Sequence, residues 1–221
     1  MNLIGNLCSS LCSNLEGDAK NREAQRTIDA AIRFPLLSIF KASIVWMLIA
    51  TVFGLIASIK LHTPGFIEEC QYMTYGKVEP IFWNTLIYGW LFNAGLGCAV
   101  FLLARIGGTP LKQGVFLTIT TVIWNLAVVI GVVGIILGDQ LPYKWLEFPS
   151  YTAPILFISF LGIGLWCAMA FRARVQRTTY ASQWWILTAL FSFAWIYSAA
   201  QIMLVCSPAQ GAFQTLVSAW Y

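Results

Sequence analysis

The run Val115-Phe116-Leu117-Thr118-Ile119-Thr120-Thr121-Val122-Ile123-Trp124-Asn125-Leu126-Ala127-Val128-Val129-Ile130-Gly131-Val132-Val133-Gly134-Ile135-Ile136-Leu137 contains no charged side chain. About twenty apolar residues cover the hydrocarbon core of a bilayer when wound as a helix, so this run predicts a membrane-spanning helix. Four further segments read the same way, from about Leu37 to Ile59, Pro80 to Ala104, Ala153 to Phe171 and Trp184 to Cys206. Within lipid every backbone polar group must be satisfied internally, which leaves helices as the solution for segments of this length. The predicted fold class is therefore an all-α integral membrane protein of about five transmembrane helices.

Composition agrees with that reading. Of the 221 residues 59% are hydrophobic and 10% charged, against roughly a quarter charged in an ordinary soluble domain. The net charge of +4 is distributed between the apolar runs, so it reads as a topology signal, and no nucleic-acid partner is expected. The tail 1–36 together with Lys41 carries five Lys and Arg, the second-to-third loop carries Arg105 and Lys112, and the fourth-to-fifth loop carries Arg172, Arg174 and Arg177. The opposite side has Lys60, Lys77 and Lys144, a split of ten to three. By the positive-inside rule the N-terminus is cytoplasmic and the C-terminus lies outside. Glu68, Glu69, Glu79, Asp139 and Glu147 then face outward, and the lipid bilayer of the cell inner (plasma) membrane is the expected location.

The domain plan follows: a cytoplasmic tail over 1–36, a five-helix domain over 37–206, and a C-terminal segment over 207–221. The tail lacks the uninterrupted apolar core of a cleavable signal. Tyr143, Trp145, Phe148 and Tyr151 read as interfacial anchors at one boundary, and Trp184 with Trp185 at the other. Gly134 and Gly138 form a GxxxG pair, with Gly95, Gly97, Gly162 and Gly164 as further points of close helix approach. Asn84, Asn93 and Asn125 fall inside spans, where an unpaired amide is costly, so they are read as interhelical contacts or as members of a polar path.

Metal and catalytic signals are sparse. The single histidine, His62, lies in a polar stretch just past the first span, and one imidazole cannot form a multi-histidine site. Cys8, Cys12, Cys70, Cys98, Cys167 and Cys206 show no CxxC or CxxCH spacing and read as free thiols. No Ser/His/Asp set, HExxH, phosphate loop or EF-hand spacing is present. A solute carrier is disfavoured by the lack of inverted repeats and of any acidic or basic residue in the middle of a span. The catalytic and metal residue sets are thus both none.

Several strings resemble a known family. The run Ser43-Ile44-Val45-Trp46-Met47-Leu48-Ile49-Ala50-Thr51-Val52-Phe53-Gly54-Leu55-Ile56-Ala57 is similar to the opening helix of subunit I of the haem-copper oxidases, most closely the C-family, cbb-type cytochrome c oxidases. The loop Tyr75-Gly76-Lys77-Val78-Glu79-Pro80 resembles that family's Tyr/Phe-Gly-Arg-x-Arg-Pro. There a histidine follows two residues after the proline and an asparagine two further on. Here Phe82 stands in the place of that histidine and Asn84 in that of the asparagine. Tyr180-Ala181-Ser182-Gln183-Trp184-Trp185 resembles the entry to the family's fifth helix. The string Gly211-Ala212-Phe213-Gln214-Thr215-Leu216-Val217-Ser218-Ala219-Trp220-Tyr221 resembles the approach to its sixth, which continues to a His-Asn pair carrying a copper ligand.

The resemblance implies a membrane subunit of a respiratory, cytochrome c oxidase-like electron-transport complex, corresponding to the first five helices of subunit I. It implies no catalysis by the chain alone. The family's histidine is an axial ligand of the low-spin haem, and a phenyl ring has no lone pair for iron. Haem and copper are accordingly expected in partner oxidase or electron-transport subunits, with no cofactor bound by this chain. Two alternatives stay open: a non-catalytic scaffold or assembly protein, and a truncated or split fragment of an oxidase subunit that ends before the first copper ligand.

Overall fold

The computed structural model describes residues 3–108, 110, 113–175 and 179–204, with the backbone alone at 3–20 and 204. The C-terminal segment 207–221, with Cys206, Lys112 and Arg177, lies outside the described residues, as do the side chains of Cys8 and Cys12. Among the described residues six α-helices are present: α1 (Leu3–His62), α2 (Tyr75–Asn84), α3 (Phe92–Gly107), α4 (Gly114–Leu137), α5 (Ala153–Arg172) and α6 (Ala181–Leu204). A π-helical segment, Thr85–Leu91, joins α2 to α3 as one rod. No strand occurs among the described residues. Among the described residues five helical stretches are long and apolar enough to cross a membrane, at Asn21–His62, Tyr75–Gly107, Gly114–Leu137, Ser150–Arg172 and Ala181–Met203. This is the architecture of a multi-pass membrane protein.

The helices begin and end where the local chemistry dictates. Gly108 (φ 64°) and Gly138 (φ 105°) close α3 and α4 in the left-handed region, the conformation glycine adopts without a Cβ penalty. Gly138 N–H donates to the carbonyls of Gly134 and Ile135, so Gly138 serves as a cap. Gly134 packs on Pro149 and on the Tyr151 hydroxyl. The Gly134–Gly138 pair therefore does not form the helix–helix crossing that its spacing predicts. Close helix approach occurs elsewhere, with Phe40 lying on Gly97 and Thr120 on Gly162, while Gly95 and Gly164 meet nothing.

Packing separates the bundle into two ends. At the acidic end, where the 63–74 and 138–149 loops lie, Ile81, Tyr88, Trp124, Ile135, Phe148 and Phe160 belong to one core cluster. Toward the basic end Val100, Leu103, Leu117, Ile163, Trp166 and Cys167 belong to a second. Ile28, Ile32 and Ala104 extend the core beyond it, and Asp29 pairs with Arg105 at 3.0 Å. The segment read as a tail is thus helix continuous with the first span, and its apolar face seals the end of α3. Elsewhere α1 leaves Ile44, Val45, Leu48, Val52 and Leu55 exposed, the surface that a lipid-facing helix presents.

The aromatic residues read as anchors divide in two. Trp145 and Tyr151 are exposed, as are Trp184 and Trp185, but Tyr143 and Phe148 are buried. A Cβ on Gly131 would come within 2.5 Å of the Phe148 ring. Phe148 is a plug in the face of α4, and an anchoring role does not fit it.

Candidate functional site

The second rod, α2 to α3, carries the buried polar residues Asn84, Thr85 and Asn93. Its π-helical segment has an i to i+5 bonding pattern, a geometry frequent at functional sites. Three successive carbonyls of that segment accept side-chain donors from three other elements. Trp124 Nε1 on α4 donates to Tyr88 O at 2.9 Å, Asn93 Nδ2 on α3 to Gly89 O at 2.6 Å, and Ser43 Oγ on α1 to Trp90 O at 3.2 Å. In an apolar setting a carbonyl released from the regular ladder must find such a partner.

Asn93 and Asn125 meet in the interior. Asn93 Nδ2 donates to Asn125 Oδ1 at 3.0 Å, and Asn125 Nδ2 returns a bond to Asn93 Oδ1 at 3.2 Å. Asn125 Oδ1 also accepts from Trp46 Nε1 at 2.7 Å, while its amide donates to Thr121 O at 2.8 Å. The junction ties α1, α3 and α4 together with every amide group engaged. Gly89 makes it sterically possible, because a Cβ there would stand 2.6 Å from Trp46 Cγ.

Asn84 does not join that junction. It lies at the acidic end of the π-helical segment and is fully buried. Its Nδ2 donates to Pro80 O at 2.8 Å and to Glu147 Oε2 at 2.7 Å. Glu147 belongs to the 138–149 loop, and its side chain is buried within the bundle at the acidic end. Burial raises its pKa above the usual carboxylate range; hydrogen bonds from Asn84 and from the backbone N–H groups of Glu147 and Trp145 oppose the rise, and Glu79 adds to it. Sequence reasoning passed over this residue. The available signal is its apolar surroundings, Trp145-Leu146-Glu147-Phe148-Pro149, an unusual setting for a solvated acid.

The same loop is held at other points. Tyr88 OH donates to Trp145 O at 2.8 Å. Lys144 pairs with Glu79 at 3.4 Å and stands 5.6 Å from the Trp83 ring centre. Lys77 Nζ donates to Ile136 O at 2.8 Å, which satisfies a carbonyl in the last turn of α4. An aromatic cluster forms in the same core, in which Phe92 stacks on Trp124 at 3.7 Å and Phe193 packs against Phe160 at 4.9 Å and Tyr197 at 5.9 Å.

Phe82 points at α1, where a Cβ on Gly54 would come within 2.9 Å of its ring. The position does not fit a haem ligand: the ring fills the space against the first span and offers iron no lone pair. His62 is the last residue of α1 and is exposed. Among the described residues no three His, Cys, Asp or Glu side chains group as a metal site. Cys70, Cys98 and Cys167 are free thiols.

No protein-family model matches the chain, and no curated protein matches it in sequence.

Proposed function

We propose that this chain is a membrane subunit of a respiratory, cytochrome c oxidase-like electron-transport complex, standing where the first five helices of subunit I would stand and leaving haem and copper chemistry to partner chains. The observation that carries the reading is the contact between Gly54 and Phe82. It joins the two strings most similar to the cbb-type family, Ser43 to Ala57 and Tyr75 to Asn84, in one helix–helix interface.

The reading includes an orientation, with the N-terminus cytoplasmic, the C-terminus outside and the inner (plasma) membrane as the location. The ten-to-three split of Lys and Arg supports it; the Asp29–Arg105 ion pair joins two segments of the Lys- and Arg-rich side and is compatible with it. In this role the chain supplies helix packing and a wall for a neighbouring cofactor-bearing subunit.

Purification from native membranes in a mild detergent, followed by a reduced-minus-oxidised optical spectrum, tests the proposal. Co-purification with a haem-containing partner supports it, and recovery of the chain with no haem-containing partner overturns it. Stoichiometric haem on the isolated chain would overturn the assignment of the cofactors to partners. Deletion separates a working subunit from a scaffold: a scaffold lowers the amount of assembled complex and leaves the turnover of the remainder unchanged.

A further inference from the structure

We infer that Glu147 and Asn84 form a proton-binding site in which the carboxyl is held neutral, and that loss of this proton loosens the 138–149 loop from the second span. The inference rests on the local geometry alone and stands apart from the oxidase reading.

Asn84 has two N–H donors, directed to Pro80 O and Glu147 Oε2. Exchanging its oxygen and nitrogen would set Oδ1 against two acceptors, so the partners fix the orientation. Both donors are then occupied and Oδ1 remains, buried and without a hydrogen-bond partner. A bare buried acceptor is costly. An ionised carboxylate has no hydrogen to offer it, whereas a carboxylic acid has one. A proton on Glu147 supplies, next to this amide, the hydrogen that the Asn84 oxygen lacks.

Among the described residues no cation is paired with Glu147, while the N–H donors of Asn84 and of the Glu147 and Trp145 backbone oppose its burial by favouring the ionised form. On α2, Glu79 is engaged with Lys144 and Lys77 with Ile136 O. On α1, Lys60 is engaged with Phe66 O, and His62 is exposed. From the π-helical segment Tyr88 donates to Trp145 O, with Tyr197 of α6 beside it. Tyr143 precedes the pair in the loop, and Tyr151 donates to Asp139 at 3.4 Å. The ion pairs among the described residues join Asp29 to Arg105 and Glu79 to Lys144, so neither includes Glu147. Burial raises the Glu147 pKa, in keeping with this arrangement. When the proton leaves for solvent at the acidic end, a buried negative charge remains beside the unpaired Asn84 oxygen. That charge weakens the fit of the loop against α2.

The test uses the full chain in detergent. Infrared spectroscopy at neutral pH is expected to show the carbonyl stretch of a protonated carboxylic acid, lost on alkaline titration and absent from Glu147→Gln. Glutamine presents one donor and one acceptor and reproduces the neutral pair. Trypsin cleavage after Lys144 reports the loop. Its rate in the unsubstituted chain, divided by that in Glu147→Gln at the same pH, should rise on the order of tenfold from neutral to alkaline pH, the scale of one buried unsatisfied group. A ratio that is flat with pH overturns the inference, as does the absence of a protonated-carboxyl band at neutral pH. The infrared titration of the unsubstituted chain decides the matter if Glu147→Gln fails to fold.

Discussion

Two asparagines on one rod, Asn84 and Asn93, are both buried amides but differ in their partners and in whether their hydrogen-bonding groups are all engaged. At Asn93 every hydrogen-bonding group has a partner, supplied by Gly89 O and by the amide of Asn125. At Asn84 one acceptor has none, and the nearest side-chain partner is a carboxyl. The first arrangement is insensitive to protons because none of its members titrates in the ordinary range. The second changes with pH because its partner gains or loses the one hydrogen the site lacks. A buried amide can therefore be a static strap or a proton-linked clasp, depending on whether the hydrogen count closes without a titratable group.

The largest expected effect breaks the strap by volume. Gly89→Leu drives a side chain into Trp46 and should lower stability by about 3 kcal/mol, read as an earlier unfolding midpoint when the detergent-solubilised chain is titrated with a denaturing detergent. Asn125→Leu breaks it by chemistry, leaving Trp46 Nε1 and one group of Asn93 unpaired. A loss of about 1–3 kcal/mol is expected in the same titration, toward the lower figure where lipid-phase partners compensate.

Glu147→Gln sharpens the contrast at the clasp through pH. A raised carboxyl pKa means that the folded state holds the proton more tightly than the unfolded state. The stabilisation is complete below the ordinary carboxylate range and is lost as pH rises through the raised value. Unfolding midpoints of the unsubstituted chain should fall across that window, while those of Glu147→Gln should lose that component of the decline. The smallest effect belongs to Lys144→Ala, which removes a partly exposed pair with Glu79 and should cost less than about 1 kcal/mol. Added salt should shrink the difference between the two proteins.

The five long helices are legible in the sequence because each is an apolar run of bilayer length, a signal that needs no tertiary information. The helical continuation of the first span back to Leu3 is not, since Glu16 to Arg33 breaks the apolar run with charges. Its order is tied to contacts such as Ile32 with Ala104 and Asp29 with Arg105. The three asparagines stand out as buried amides, yet spacing along the chain says nothing of which ones meet. The pairing of Asn93 with Asn125 depends on how α3 and α4 are turned against each other. Glu147 is hidden for the opposite reason: acids in loops are usually solvated, and only the folding of Phe148 into α4 carries its neighbour inward.

The π-helical segment also has a geometric consequence. Nine residues of ideal α-helix make about two and a half turns, which would set Asn84 and Asn93 on opposite sides of a rigid cylinder. The wider winding of Thr85–Leu91 resets the rotational phase between them, so a helical wheel drawn through the whole rod misassigns everything beyond Asn84. One span thereby addresses two different neighbours, the loop before α5 and the α1–α4 groove, from positions that an unbroken helix would hold half a turn apart.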